Sequence, residues 1–339
     1  MRVSRRRRVA IAAGILALVC ALALAIAYVI MIRMPSTSFT GELPALGQEE
    51  KALARSLERD VNALAADIGP RHAARPESLE RSVSWLKNRL ERKGLRPERY
   101  SYEYEGETFH NVEVEVRGRE EPDEIVVLGA HYDTVPGSPG ADDNASGVAA
   151  LVALAGRLSA AELPRTVRYV FFANEEQPFF QSEGMGSLVY AKRSRAKGDE
   201  IAVMVSLESI GYFDDAEGSQ SYPPLVGAFY PSRGNFLGFV GNLDSRGQVR
   251  EAIGAFRRAA ALPSEGAALP SWVPGVGWSD HWAFWQAGYP AIMVTGTAPF
   301  RNPHYHMPTD TPDTLDYARL ARAVIGLDAA ARALATPGG

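Results

Sequence analysis

The 339 residues are 46% hydrophobic and 22% charged, so the chain can bury a sizeable core, in one large domain or two small ones, and is not a disordered protein. Six of its 36 basic residues precede Met34, where there is no acidic residue, so the remaining chain carries 30 basic against 40 acidic residues. This acidic balance disfavours nucleic acid as a partner, because phosphate binding relies on a basic surface.

The N-terminal residues predict a membrane anchor. A basic cluster at Arg5 to Arg8 is followed by 24 residues without a charge, from Val9 to Ile32. At about 1.5 Å per residue such a helix crosses a hydrocarbon core of roughly 30 Å, whereas the apolar region of a cleaved signal peptide is usually about 7–15 residues long. Because clustered basic residues stay cytoplasmic, we expect residues 1–33 to be a tail and signal anchor that place the rest outside.

The remainder of the chain reads as a linker, residues 34–46, and one domain, residues 47–337, without an internal repeat. The single cysteine, Cys20, lies inside the apolar run, so the exported part has no disulfide. Small residues in the second half of that run leave cleavage of the anchor open as the alternative.

Predicted helices and strands alternate along the domain. Apolar positions at helical spacing predict helices at 51–68 and 77–93, and alternating residues predict a hairpin of strands 97–105 and 109–117. The later predictions are strands at 124–131, 166–174, 201–207 and 290–296, and helices at 146–158, 187–195, 248–260 and 314–335. This alternation is typical of a parallel sheet covered on both faces. We therefore expect a three-layer α/β/α domain with a mixed, mostly parallel central sheet.

Two long segments interrupt this pattern. Residues 212–233 and 261–278 are rich in Gly, Pro and Ser and show little periodicity. Long irregular loops in a compact domain are commonly functional. They either wall a substrate cleft or are variable surface loops, and we regard the two interpretations as equally good.

The most informative motif is HYDTVPGSPGADDNASG, which follows an apolar strand and precedes an apolar helix. It places His131 and Asp133 at the carboxyl end of a buried strand and Asp143 at the start of a helix, while Gly137 and Gly140 let the loop fold back. Ligands of open α/β sheets bind at such strand ends. One imidazole and several carboxylates at that edge indicate a metal site.

Other strand ends carry further metal-binding side chains. Glu175 and Glu176 follow one strand, Glu208 ends the next, and the loop after the last strand carries His304 and His306. Adjacent residues leaving a strand point in different directions, so one of the paired glutamates can bind metal while the other faces a substrate. Two imidazoles and three or more carboxylates suit a pair of divalent ions such as zinc, with one carboxylate bridging them.

Taken in order, the motifs HxD, GADDNASG, NEE, ESIGY and YHxxxDT resemble those of the exported dizinc aminopeptidases of metallopeptidase family twenty-eight. The resemblance covers roughly residues 50–336. It implies an exopeptidase that hydrolyses N-terminal residues from peptides and holds two zinc ions per chain. It also implies the ligands: His131 and Glu208 on one ion, Glu176 and His306 on the other, and Asp143 bridging both.

The same resemblance assigns roles around the ligands. Glu175 falls at the general-base position, Asp133 at the carboxylate that orients the first histidine, and Tyr305 where some relatives place an oxyanion donor. Asp142 and His304, the neighbours of two implied ligands, do not match ligand positions. Ser279-Asp280-His281 resembles a further motif near the site.

The resemblance has two departures and leaves alternatives open. Glu208 stands where many relatives have Asp, and the run after Asn174 lacks the glycine-rich loop that relatives often have. A cis peptide between Asp143 and Asn144 is also implied. The alternatives are a glutaminyl-cyclase-like acyltransferase with one zinc ion, an inactive scaffold of the same fold, and a carboxypeptidase. The oligomeric state and the native metal stay open.

Overall fold

The computed structural model describes residues 5–224 and 226–337. Its first element is helix α1, Arg5–Met31. Within the described residues α1 is the one helix long and apolar enough to cross a membrane, over Gly14–Met31. Residues 34–46, which follow it, contain no helix or strand.

Two amphipathic helices begin the domain, as predicted. Helix α2, Gln48–Asn62, has acidic residues in its first turn, which favours a helix N-terminus, and continues as a π-helical turn over Ala63–Ile68. Helix α3, Pro76–Glu91, has proline at its first position, where the missing amide costs no hydrogen bond.

Eight strands form one mixed sheet in the order β1-β2-β4-β3-β5-β8-β6-β7. The strands are β1 Glu98–Tyr104, β2 Glu107–Val116, β3 Glu121–His131, β4 Arg165–Phe172, β5 Glu200–Glu208, β6 Leu237–Gly241, β7 Ser264–Ala268 and β8 Ala291–Thr295. The central strands β4, β3, β5 and β8 are parallel, whereas β2 runs antiparallel to both of its neighbours and β6 runs antiparallel to β8. The parallel strands therefore end at the same edge of the sheet.

Helices cover both faces of the sheet. The remaining helices are α4 Gly147–Leu158, α5 Gly186–Lys197, α6 Arg246–Ala259, α7 His281–Gln286, α8 Ala298–Arg301 and α9 Tyr317–Leu334. Helices α2, α3, α4, α6 and α9 share one buried apolar cluster with the sheet, and α5 and α7 share a second cluster with side chains such as Val127 and Phe172. This arrangement confirms the predicted three-layer α/β/α fold.

The prediction was wrong within the second glycine-rich segment, residues 261–278, and incomplete just after each segment. Strand β7 lies inside the stretch we expected to be irregular, and β6 and α7 were not predicted. Both strands are only five residues long and contain glycine, which is disfavoured in strand interiors. A side chain at Gly241 would meet Val249 of α6 at 2.7 Å, so close helix packing explains that glycine.

Candidate metal centre

Strand β3 delivers the first histidine of the centre. Its buried run ends at His131, whose side chain is fully buried. The chain then bends back through Gly137 and Gly140, both with positive φ. A Cβ at Gly140 would lie 2.4 Å from the carbonyl oxygen of Asp143, so only glycine fits there. The fold-back expected from the two glycines is confirmed.

Asp143 lies between two histidines. Its Oδ1 is 3.3 Å from Nε2 of His131, and its Oδ2 is 3.1 Å from Nε2 of His306. The Asp143–Asn144 peptide bond is cis, as the resemblance implies. The carboxylate thus faces two imidazoles with its two oxygens, which is the geometry of a bridging ligand.

Two glutamates complete two groups of three donors. Oε2 of Glu208 is 3.3 Å from Nε2 of His131, and Oε2 of Glu176 is 3.2 Å from Nε2 of His306. Within each group the donor atoms lie within 4.8 Å of one another, and Asp143 belongs to both groups. The structure therefore brings together all five side chains that the resemblance implies as ligands.

This donor set fits zinc. Ligand atoms about 2.0–2.2 Å from a tetrahedral zinc ion are themselves about 3.3–3.6 Å apart, close to the spacings observed here. Four buried donor atoms have no hydrogen-bond partner within the described residues: His131 Nε2, Asp143 Oδ1, Glu176 Oε1 and His306 Nε2. Buried polar atoms normally have a hydrogen-bond partner. Four metal-binding atoms without such a partner at one point therefore indicate a site for cations.

The pKa values of the implied ligands also indicate that the buried carboxylates need positive charge nearby. Burial, together with the charge of Asp143, raises the pKa of Glu176 to about 8. Burial opposes ionisation of Asp143 as well, but the two histidine rings that face its carboxylate outweigh burial and lower its pKa. Burial disfavours the charged form of His306, yet Asp143 and Glu176 raise its pKa to about 10. Without a metal, protons supply the positive charge that the carboxylates require.

Asp133 and Glu175 lie beside the ligands rather than among them. The Asp133 carboxylate accepts hydrogen bonds from the backbone amides of Glu175 and Glu176, at 3.1 and 3.0 Å, and lies 3.5 Å from Nδ1 of His131. Oε2 of Glu175 is 3.9 Å from Nε2 of His131. Burial and the neighbouring carboxylates, Glu176 first, raise the pKa of Glu175 well above its ordinary value, although His131 opposes them.

Two neighbours of the implied ligands point elsewhere. Oδ1 of Asp142 accepts hydrogen bonds from the amides of Gly211 and Tyr212, at 2.7 and 3.2 Å. Nδ1 of His304 lies 2.9 Å from the hydroxyl of Thr309. Asp142 therefore holds a neighbouring loop in place, and neither residue belongs to a donor group.

Tyr305 and Ser279 each contact one of the implied ligands. The Tyr305 ring stacks on His306, with ring centroids 3.8 Å apart, and burial raises the pKa of its hydroxyl far above the ordinary value. The Ser279 hydroxyl donates to Oε2 of Glu208 at 2.7 Å. In the same motif Asp280 is fully buried, and burial raises its pKa to about 7.

Sequence analysis missed two residues that hold the loops of the centre. Asp310, the acidic residue of the YHxxxDT motif, accepts hydrogen bonds from the amides of Asp142 and Asp143, at 2.8 and 3.1 Å. The fully buried Arg71 donates to five backbone carbonyls, those of Leu64, Gly69, Tyr132, Pro139 and Gly140. The motif pointed to Asp310, but no pattern in the sequence distinguished Arg71 from a surface arginine.

An apolar pocket with a cavity volume of about 110 Å³, open to solvent at its mouth, adjoins the centre. Glu208 and Tyr305 lie on its boundary with the metal cluster. The two glycine-rich segments supply most of the other lining side chains, including Tyr222, Tyr230, Leu269, Val276 and Trp278. Both segments thus form walls of an apolar pocket beside the donor groups, which favours the cleft-wall interpretation.

The fold and the donor cluster together define a metallopeptidase of the zinc exopeptidase type. Residues 111–328 match the family model described as Peptidase family M28. A curated relative, the uncharacterized protein YfbL of Escherichia coli, is 38% identical over 80% of this chain and 85% of its own length. The chain belongs to Peptidase family M28, and it is a zinc metallopeptidase by family. A probable leucine aminopeptidase of Arthroderma otae is 28% identical over 60% of this chain and 53% of its own length.

Solved structures share the fold at low sequence identity. The zinc aminopeptidase BSAP from Bacillus subtilis superposes with a TM-score of 0.65 at 15% identity, covering 86% of this chain and 95% of that protein. A glutaminyl cyclase from Fimbriiglobus ruber gives a TM-score of 0.61 at 18% identity, covering 88% of this chain and 99% of that protein. The fold is therefore shared by hydrolases and by a cyclase.

Proposed function

We propose that this chain is a membrane-anchored dizinc aminopeptidase that hydrolyses N-terminal residues from peptides. The observation that carries the proposal is the position of Asp143, whose two carboxylate oxygens face His131 and His306 and which belongs to both donor groups. One zinc ion would be held by His131, Glu208 and Asp143. The second would be held by Glu176, His306 and the same aspartate.

Zinc bound in this way supplies two kinds of chemistry, a lowered pKa of water and polarisation of a carbonyl oxygen. Glu175 would accept the proton of the attacking water and pass it to the leaving amine, because its carboxylate lies beside the ligands and its raised pKa favours proton transfer. Asp133 would hold the His131 ring in its orientation. Tyr305, protonated at neutral pH, would donate a hydrogen bond to the oxygen that gains negative charge.

The donor set also separates this proposal from its alternatives. A glutaminyl cyclase of the same fold is a structural neighbour, so the fold alone does not distinguish hydrolysis from cyclisation. Five ligand-type side chains and a free carboxylate at Glu175 favour two ions and hydrolysis over a one-zinc acyltransferase. An inactive scaffold would not need to retain them. The relative named as a probable leucine aminopeptidase supports an amino-terminal over a carboxy-terminal cut.

The direct test combines zinc analysis of the purified full chain with a substrate panel. The panel holds aminoacyl amides, their N-blocked counterparts, carboxypeptidase dipeptides and peptides with N-terminal glutamine. We expect two zinc ions per chain and release of free N-terminal residues. One zinc ion with ammonia release from glutamine would establish the cyclase, whereas neither activity on any substrate would establish the scaffold.

A matched pair of histidine variants tests the ligand assignment. His306→Gln should lower the zinc content, because His306 is a proposed ligand. His304→Gln should leave it unchanged, because His304 contacts Thr309 instead. Equal zinc loss in both variants would show that zinc binding depends on the conformation of the loop and not on the His306 imidazole as a ligand.

The location proposed is a single-pass membrane protein with the domain on the non-cytoplasmic side. Its support is α1, which begins with the basic cluster Arg5 to Arg8 and is long and apolar enough to cross a membrane. A reporter fused after Gly339 should be active only outside the cytoplasm. Activity of that fusion in the cytoplasm would reverse the topology.

A further inference from the structure

The segment after α1 is held firmly against the domain. Arg257 of α6 donates to the carbonyls of Pro35 and Ser36, both at 3.1 Å, and the amide of Ser264 donates to the hydroxyl of Ser38 at 2.8 Å. Met34 packs so closely on Gly266 that a Cβ there would lie 2.7 Å from its side chain. The segment that joins α1 to the domain therefore packs on the domain and is not a flexible linker.

The end of α1 contacts the outside of the apolar pocket. Met31 and Ile32 pack, with Tyr230 and Val273, against a small buried cluster that consists of Ala267, Leu269 and Val276. Apart from Met31 and Ile32, all of these residues line the pocket. One pocket wall is therefore also the surface on which the helix ends.

Two exposed aromatic side chains lie beside this wall. The Phe229 ring is 6.1 Å from the ring of Tyr28, and 53% of Phe229 is exposed. Trp272 is 81% exposed and directly precedes Val273. Neither residue lines the pocket, but their chain neighbours Val226, Tyr230 and Val273 do, so Phe229 and Trp272 lie outside the pocket beside its wall. We call these two residues the aromatic rim.

The contact with Tyr28 relates the position of Phe229, one residue of the aromatic rim, to a known position along α1. Tyr28 belongs to the apolar window Gly14–Met31 and lies three residues before its end, which is about 5 Å along a helix. If that window occupies the hydrocarbon core, Phe229 must lie at the boundary between acyl chains and headgroups. Tryptophan and tyrosine are enriched at this boundary. On a surface that faces only water, by contrast, a tryptophan that is 81% exposed is disfavoured.

We propose that the aromatic rim inserts into the interfacial layer of the membrane that α1 crosses, so that the pocket opens at the bilayer surface. The partner is the lipid interface itself, and the favoured substrates are peptides whose N-termini are presented at that surface. This inference rests on the proposed membrane anchor. It adds a fixed orientation of the domain, which an anchor on a flexible linker would not impose.

Fluorescence quenching in lipid nanodiscs tests the insertion with the full chain. Lipids brominated high on their acyl chains should quench part of the tryptophan emission, and Trp272→Phe should remove much of that quenchable part. Trp85→Phe is the matched control, because Trp85 lies on α3 and packs against the main core. Equal quenching of the wild type and Trp272→Phe would overturn the inference.

An activity comparison tests the consequence for substrates. The double variant Phe229→Asp with Trp272→Asp should keep the wild-type kcat/KM for a soluble peptide. For the same peptide attached to a lipid through its C-terminus, we expect kcat/KM to fall about tenfold, since surface presentation acts through local concentration. An equal loss on both substrates, or no loss on either, would contradict the proposed docking.

Alkaline extraction of membranes separates this inference from the anchor on which it depends. Release of the full chain into the soluble fraction would refute the anchor itself. A chain that stays in the membrane, but whose Trp272 is not quenched, would refute only the docked orientation.

Discussion

The proposed metal centre and the apolar pocket adjoin each other at Glu208 and Tyr305, but different parts of the fold form them. Four of the five proposed ligands lie at or just beyond the ends of parallel strands or in the loop that follows β3. The pocket instead lies between short strands and loops drawn from residues 212–233 and 261–278. The long parallel strands thus position the proposed ligands, and the short strands and loops at the margin of the sheet line the pocket.

The two regions differ in how precisely their side chains must be positioned. Surrounding hydrogen bonds must hold each proposed ligand in its place. Asp133 and Asp310 accept from backbone amides of the ligand-bearing loops, and the Ser279 hydroxyl donates to Glu208. The pocket wall requires only apolar surface of suitable shape, which many side chains can supply. We therefore expect substitutions in the cluster to abolish activity and substitutions in the pocket to change its selectivity.

The largest effect should come from the bridging carboxylate. Asp143→Asn removes the one charge shared by both donor groups, so both zinc ions and all activity should be lost. Asp142→Asn is the matched neighbour and retains an oxygen that can accept from the amides of Gly211 and Tyr212. Zinc content and turnover of the two variants check this. Loss of zinc from Asp142→Asn alone would move the bridge to that residue.

The next effect should separate the paired glutamates. Glu175→Gln keeps the size of the side chain but cannot accept a proton, so turnover should fall roughly 10²–10⁴-fold or more while both zinc ions stay bound. Glu176→Gln should lose zinc together with activity, because its oxygen lies 3.2 Å from Nε2 of His306. Metal analysis beside turnover gives the answer. If zinc loss occurred instead in Glu175→Gln, the two roles would be exchanged.

A pocket substitution should have a smaller and more selective effect. Trp278 stacks on Phe300 with an angle of 13° between the rings, and both line the pocket. Trp278→Ala should lower kcat/KM about tenfold for peptides with a large apolar N-terminal residue and much less for N-terminal alanine, with zinc unchanged. Trp272→Ala serves as the control on soluble substrates, because Trp272 does not belong to the pocket lining. Loss of zinc in Trp278→Ala would show that the two regions are not separable.

The smallest effect is the pH dependence of metal-free stability. Folding raises the pKa of Glu176 and Asp310 from 4.5 and 3.8 to about 8, and that of His306 from 6.5 to about 10. Raised pKa values mean that the folded state binds more protons, so stability is lost as pH increases. His281, whose pKa burial lowers to about 4, opposes this trend only below pH 6.5.

Between pH 6.5 and 8 the metal-free protein should therefore lose several degrees in Tm. Added zinc should remove this dependence, since the metal replaces the protons. Thermal unfolding with and without chelator measures both. A Tm of the metal-free protein that rises with pH over this range would contradict the raised pKa values of Glu176, Asp310 and His306.

The contrast between the regions also explains which features could be predicted from the sequence. Strands β3, β4 and β5 are long buried runs, and each ends in a polar motif of fixed spacing. Spacing along a strand determines which edge and face a residue occupies, so the clustering of His131, Glu176 and Glu208 could be expected. The roles given to these residues stay predictions until the variants are made.

The features that could not be predicted depend on distant contacts. Strand β6 pairs with β8 in antiparallel register, and β7 with β6, but neither short sequence shows an alternating pattern. The packing of Met34 on Gly266 joins residues far apart in the chain. Arg71 became recognisable only once its five carbonyl partners were brought together. Local periodicity contains no information of this kind.

The five hydrogen bonds of Arg71 have a consequence for the boundaries of the unit that can be produced or exchanged. They join the end of α2 to the loop that leads into Asp143, and burial lowers the pKa of this guanidinium only to about 10, so it stays charged. The family match begins at residue 111, which excludes α2, α3 and this arginine. A fragment cut at that boundary would leave the buried carbonyls of Tyr132, Pro139 and Gly140 without their donor. The smallest unit that keeps these hydrogen bonds therefore extends beyond the N-terminal limit of the family match, through β1 and α3 to α2.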